Sequence, residues 1–238
     1  MCTLFNPKTI SAVLDNLDEN MLKNIIASHA DFTHYIYDNC LFKYSVIKNE
    51  LVDYKSKVKF ITNVNECEIP MICIEFPNLL GLYDVAHDPQ CNLDDKKLSL
   101  IKSLIIDIEK PTSLKQYKNL TKVTFNHTFF NQQLDSLPDS IEEICIDNLL
   151  FNQSIPNMFP NLKKLTIKSV SFDETIDIAL IHKLESLYIK SPTYTQINPK
   201  HLCNSHVKID SLMFGVPETK STNRMLPVLP LVEHVEIN

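Results

Sequence analysis

The chain has 238 residues, 44% of them hydrophobic and 22% charged, a balance that packed globular domains have and disordered segments lack. No run approaches the roughly 18 consecutive apolar residues of a membrane-spanning helix, and a formal charge of −6 does not suit binding to nucleic acid by phosphate neutralisation. Two glycines, Gly81 and Gly215, and one arginine, Arg224, exclude Walker A loops, dinucleotide fingerprints, Gly-x-Ser-x-Gly elbows and clustered guanidinium clamps.

The first residues, Met1 to Lys8, carry no basic segment leading into an apolar core, so no secretory signal is expected. Seven cysteines without a Cys-x-x-Cys pair then read as reduced thiols in a cytoplasmic setting. The sequons beginning at Asn119, Asn126 and Asn152 read as unmodified for the same reason. Residues 1–56 lack a strand pattern. Met21, Leu22, Ile25 and Ile26 fall on one face of a predicted helix that starts near Asp18 and Glu19. Asp31 is placed to cap a second helix carrying Phe32, Tyr35, Ile36 and Cys40, and Tyr44, Ile47 and Leu51 suit a third. Such a module would shield the open end of a repeat array.

From residue 57 onward one pattern recurs: an aliphatic residue, two variable residues, an aliphatic, one variable, then an apolar residue. It reads Ile101-Lys-Ser-Leu104-Ile-Ile106, Leu120-Thr-Lys-Val123-Thr-Phe125 and Ile141-Glu-Glu-Ile144-Cys-Ile146. It continues as Leu162-Lys-Lys-Leu165-Thr-Ile167, Leu184-Glu-Ser-Leu187-Tyr-Ile189, Ile209-Asp-Ser-Leu212-Met-Phe214 and Val232-Glu-His-Val235-Glu-Ile237. The starts at 101, 120, 141, 162, 184, 209 and 232 are separated by 19, 21, 21, 22, 25 and 23 residues, and degraded copies begin at Leu79 and Val58. Each unit predicts one short strand with alternate residues inward, which buries its apolar side only by stacking on its neighbours.

A second landmark keeps the same step. Phe130-Asn131-Gln132, Phe151-Asn152-Gln153 and Phe172-Asp173-Glu174 follow one another at 21 residues, with Leu134, Ile155 and Ile176 behind them. The phenylalanines should fill the half of the core away from the strands. The Asn or Asp should cap backbone groups that lack ladder partners there.

The stretch Leu137-Pro138-Asp-Ser140-Ile141 through Phe151-Asn152-Gln153-Ser154-Ile155-Pro156 resembles the FNIP repeat, a leucine-rich-repeat relative of slime moulds and giant DNA viruses. The resemblance implies an α+β protein with a leucine-rich-repeat-like solenoid of short parallel strands over 57–238. Its N-terminal helical cap, over 1–56, would be an F-box-like module. Asn16 to Ile26 is similar to an F-box opening, although Asp18 stands where that motif has proline and the chain has no tryptophan. In that family such a segment docks a Skp-type adaptor of a cullin-based ubiquitin ligase. Leu17, Met21, Leu22, Ile25 and Ile26 would be the adaptor-binding residues. The location implied is the cytoplasm, or the host cytoplasm if the protein is viral. The other reading is a structural or virion-associated repeat protein with no ligase role.

Catalytic and metal patterns do not assemble. His201, Cys203 and His206 could ligate zinc, but no fourth ligand has fitting spacing, so the segment reads as an ordinary loop. No acid–base pair or Cys/His couple is spaced for chemistry, and no cofactor or catalytic role is expected. The strand positions that should face outward, on the concave side, remain as the candidate site for a protein partner. They are Lys122, Glu143 and Lys164 at the third position and Tyr188 and Met213 at the fifth. Asp147, Lys168 and Lys190 hold the seventh. Apolar anchors between charged margins suit protein recognition.

Overall fold

The computed structural model describes residues 24, 37, 41–47, 55–155, 159–174, 176, 183–191, 208–214 and 235–237. These form parallel strands in two sheets with few, short helices. The chain divides into two compact units, 1–104 and 105–238.

In the first unit, β1 (Leu41–Lys43), β2 (Phe60–Thr62) and β3 (Gly81–Tyr83) lie side by side and parallel in that order. Leu41 pairs with Phe60 and Phe60 with Gly81, and Leu82 bridges in parallel to Ile101. The inward residues Phe42, Ile61, Leu82 and Ile101 are buried. Gly81 allows close approach here: a Cβ would meet Phe60 Cδ1 and Tyr83 Cε2, both at 3.2 Å. Just beyond β2 and β3, Asn63 and Asp84 take the left-handed conformation, with φ of 56° and 47°, which Asn and Asp tolerate better than other side chains. Asp84 accepts hydrogen bonds from the buried hydroxyls of Thr62 (3.1 Å) and Ser103 (3.0 Å), one from each side.

The returns between these strands include α1 (Tyr44–Ile47), α2 (Ile69–Glu75) and α3 (Asp95–Leu98). A turn of 3-10 helix precedes α2. Asn65 caps it by accepting from Cys67 N–H, and Glu68 reaches back to Asn65 N–H, each at 3.0 Å. Asp94 caps α3 by accepting Lys97 N–H at 2.9 Å. Of the helices predicted over 18–26 and 32–40, Asn24 and Tyr37 are the described members, and both are helical. Tyr37 is buried and stacks on Phe42 at 5.6 Å. The strand Leu41–Lys43 was not foreseen, because only Phe42 in its three residues faces inward, too little for a period-2 signal.

In the second unit the strands are β6 (Lys122–Phe125), β7 (Glu143–Asp147), β8 (Lys164–Lys168), β9 (Ser186–Ser191), β10 (Lys208–Phe214) and β11 (Val235–Ile237). They pair in sequence order, all parallel. The short strands β4 (Val85–Ala86) and β5 (Ser103–Ile106) precede them in the chain. Val123, Ile144, Leu165 and Leu187 stand opposite one another and are buried; so do Phe125, Ile146, Ile167 and Ile189. Leu165 and Leu187 are therefore strand residues inside a shared core, as the repeat pattern predicts. Parallel neighbours need a long return between them, and each repeat of about 21 residues holds one strand and its return.

The register expected at β10 is not the one observed. Aligning the repeats places Met213 beside Tyr188, but Tyr188 pairs with Ser211 and Met213 with Lys190. An irregularity between Ile209 and Ser211 shifts the pairing, and the long 25-residue step from 184 to 209 leads into it.

Candidate functional site

Outward-facing residues of β6 to β9 form three columns. Lys122, Glu143, Lys164 and Ser186 lie opposite one another in the first, and Thr124, Cys145, Thr166 and Tyr188 in the second. Asp147, Lys168 and Lys190 make the third. The second column is half-buried throughout, whereas Lys164, Asp147 and Lys190 are exposed. The sheet thus offers a central strip of small, thiol and aromatic side chains between charged borders.

One pair of border residues, Asp147 and Lys168, is joined across the sheet, and a second ion pair lies one residue before β7 and β8. Lys168 Nζ lies 2.7 Å from Asp147 Oδ2, and Lys163 Nζ lies 2.8 Å from Glu142 Oε2. These carboxylates hold both ammonium groups above their ordinary titration range, chiefly through the direct hydrogen bond. The sign change along the third column is therefore an internal ion pair, with Lys190 beyond it. Burial pushes the Cys145 thiol up, which keeps it protonated near neutral pH and a poor nucleophile. Among the described residues, no group of three or more His, Cys, Asp or Glu could hold a metal ion.

The returns after β6, β7 and β8 hold a different set of side chains. Phe130, Phe151 and Phe172 stack in register, with centroids 6.0 and 5.9 Å apart and planes within 9°. Phe125 lies against Phe130 at 4.2 Å. Each phenylalanine carbonyl is held by the next rung: Asn148 Nδ2 donates to Phe130 O, Ser169 Oγ to Phe151 O and Ser191 Oγ to Phe172 O. Asn152 N–H donates to Asn131 Oδ1, and Asp173 N–H to Asn152 Oδ1, both at 2.9 Å. The capping role expected of the asparagines is thus met, and Asn148, Ser169 and Ser191 add a buried polar ladder that the sequence reading did not single out.

Two further groupings were not foreseen. Phe129, Leu149, Leu150 and Val170 are exposed just past β6, β7 and β8. Their spacing of 21 (150 − 129 and 170 − 149) is the signal that could have found them. In the first unit Glu66, only 1% exposed, accepts at one oxygen from Asp88 N–H and lies 2.8 Å from His87 Nδ1. Beside it Cys67 Sγ donates to Asp88 Oδ2 at 3.2 Å. That bond, with help from Cys91, pushes the thiol up to about 12. Asp88 is held below the ordinary carboxylate range, first by Gln90 N–H and then by Cys67.

Of the residues proposed from sequence, Lys122, Glu143, Lys164, Asp147, Lys168, Tyr188 and Lys190 share this face. Met213 has its backbone described, displaced from its expected column. Leu17, Met21, Leu22, Ile25 and Ile26 lie outside the described residues, as do His201, Cys203 and His206. No helix among the described residues is long and apolar enough to cross a membrane. No family model, curated protein or solved structure matches the chain.

Proposed function

We propose that this chain is a non-catalytic, leucine-rich-repeat-type solenoid of the FNIP kind that recognises a protein through the outward face of β6 to β9. The observation that carries the reading is the unbroken register Thr124–Cys145–Thr166–Tyr188, half-buried and bordered by charges. Strands about 4.8 Å apart hold these groups in a fixed row, and a partner that covers the row desolvates an aromatic anchor at little cost in side-chain entropy. The raised thiol of Cys145 favours contact over chemistry. The N-terminal segment, in this reading, is an F-box-like module that brings a Skp-type adaptor to Leu17, Met21, Leu22, Ile25 and Ile26.

Affinity capture with the full-length chain tests both parts. A specific partner recovered by the wild type and lost with Tyr188→Ala and Thr166→Arg supports recognition by this face. The same partner retained by both variants removes it. Substituting Ile25→Asp and Ile26→Asp should release a Skp-type protein and leave the other partner bound. If no such protein is recovered with the folded wild type, the ligase role goes and the structural, virion-associated reading takes its place.

A further inference from the structure

In the first unit, the 3-10 turn before α2 and the turn after β4 lie one repeat apart, and each carries a thiol. Their segments are clamped together: the buried Glu66 carboxylate accepts from Asp88 N–H at 2.8 Å, and Cys67 Sγ donates to Asp88 Oδ2 at 3.2 Å. Asp88 also folds its own turn. Its carbonyl accepts from Cys91 N–H at 3.0 Å, and its Oδ1 accepts from Gln90 N–H at 2.9 Å. Asp88 thus holds both cysteines, Cys67 by its side chain and Cys91 by its backbone. The Cys91 thiol is the second hydrogen-bond partner of the Cys67 thiol. Two thiols 24 residues apart in the chain (91 − 67) therefore meet side by side. Cys67 is exposed and Cys91 half-buried, so a small reagent reaches the pair. A disulfide brings its sulfurs to about 2.05 Å, closer than a hydrogen-bonded thiol pair. The movement this needs falls on Pro89 and Gln90, which are exposed and in a turn, and on no strand.

We propose that Cys67 and Cys91 form a reversible disulfide when the protein meets a low-molecular-weight disulfide such as glutathione disulfide, and that this bridge staples two successive returns of the first unit. Cys91 attacks first. Its sulfur bonds to one sulfur of the reagent, the reagent's S–S bond breaks, and one glutathione leaves with the proton that Cys91 gives up. Cys67 then attacks the Cys91 sulfur, and the second glutathione leaves with the proton of Cys67. The two protein thiols lose two electrons and two protons, and the reagent gains them as two glutathione thiols. The order follows from Asp88, whose carboxylate, with Cys91, pushes the Cys67 thiol up to about 12. Cys67 is therefore a slow attacker of free reagent and reacts once contact with the Cys91 adduct raises its local concentration. The closed loop restricts the unfolded chain, which makes the first unit harder to unfold. No residue of the outward face of β6 to β9 takes part, so this site stands or fails apart from the proposed recognition role.

The test incubates the reduced full-length chain with glutathione disulfide and maps its peptides by mass spectrometry without reduction. A Cys67–Cys91 cross-link should form several-fold faster than any other bridge, disappear with dithiothreitol, and lose its advantage when the chain is unfolded in urea. Cys73 and Cys145, half-buried like Cys91, serve as internal controls. In Cys67→Ser a glutathione adduct should remain on Cys91, whereas in Cys91→Ser the adduct on Cys67 should form several-fold more slowly. The oxidised wild type should unfold at higher urea than the reduced protein, and Cys67→Ser treated alike should not. Separate glutathione adducts on both thiols, a faster bridge from either to Cys73 or Cys145, equal adduct rates in the two serine variants, or an unchanged urea midpoint overturns the proposal.

Discussion

The backbone N–H of Asn152 donates to Oδ1 of Asn131, 2.9 Å away and 21 residues earlier in the chain. Asn152 then serves Asp173 in the same way. Removing its side chain breaks this sequence in the middle. Asn152→Ala should cost about 0.5–1.5 kcal/mol, the net worth of one such bond, while Asn152→Asp keeps the acceptor and should cost less. Urea denaturation of the two variants gives the comparison. An alanine variant as stable as the wild type would show that the ladder is idle.

Phe151 is fully buried between Phe130 and Phe172, and Leu165 is fully buried in β8. Truncating Phe151 to alanine should cost roughly 3–5 kcal/mol and Leu165→Ala roughly 2–5 kcal/mol, the range for large-to-small changes in a core. Losses below about 0.5 kcal/mol, typical of exposed sites, would mean that neither side chain is where the fold places it. Calorimetric or urea midpoints measure both.

Asp84 combines an unusual backbone with two hydroxyl partners. Alanine there loses both acceptors and meets the left-handed penalty of about 1–2 kcal/mol. Glycine loses the acceptors but escapes the penalty. Asp84→Gly should therefore be the milder substitution of the two. An alanine variant at least as stable as the glycine variant would refute the assignment of strain to this residue.

Alkaline pH should weaken the fold. Burial raises the Cys145 thiol above its ordinary 9.0, and the Asp147 carboxylate raises the Lys168 ammonium above 10.5. The unfolded chain loses these protons first, so above about pH 9 the native state binds more protons and stability falls with pH; below that the contribution is complete. The urea midpoint should be level from about pH 7 to 8.5 and drop beyond pH 9, with a shallower drop in Cys145→Ser. The same protonation slows alkylation. At pH near 8, Cys145 and Cys67 should react more slowly than a peptide thiol, and Asp88→Ala should speed Cys67 alone by removing its acceptor. Peptide mapping by mass spectrometry reads each site.

Much of the second unit was legible because its spacing is nearly constant. A step of 21 sets Lys122, Glu143 and Lys164 in one column and Phe130, Phe151 and Phe172 in one stack, and both are found. The period carries less information where a strand is short or a step is long. Leu41–Lys43 offers one inward residue, and the irregularity after Ile209 moves Met213 out of its column. The Asp84 hub and the buried Glu66–His87 pair join residues 19 to 22 apart at strand ends and in the turns beyond them, where no alternation marks them. Pairing between charges was not legible either: Asp147 and Lys168 are 21 residues apart, and in space they satisfy each other.

The bonds between rungs in the Phe-carbonyl and Asn systems reach one step back and no further, with separations of 18 to 22 residues. Copying residues 131–151 in tandem would leave each donor with an acceptor of the same kind and each ring with a ring beneath it. The interior thus admits whole-unit duplication without redesign, since each rung asks only for a neighbour of its own kind.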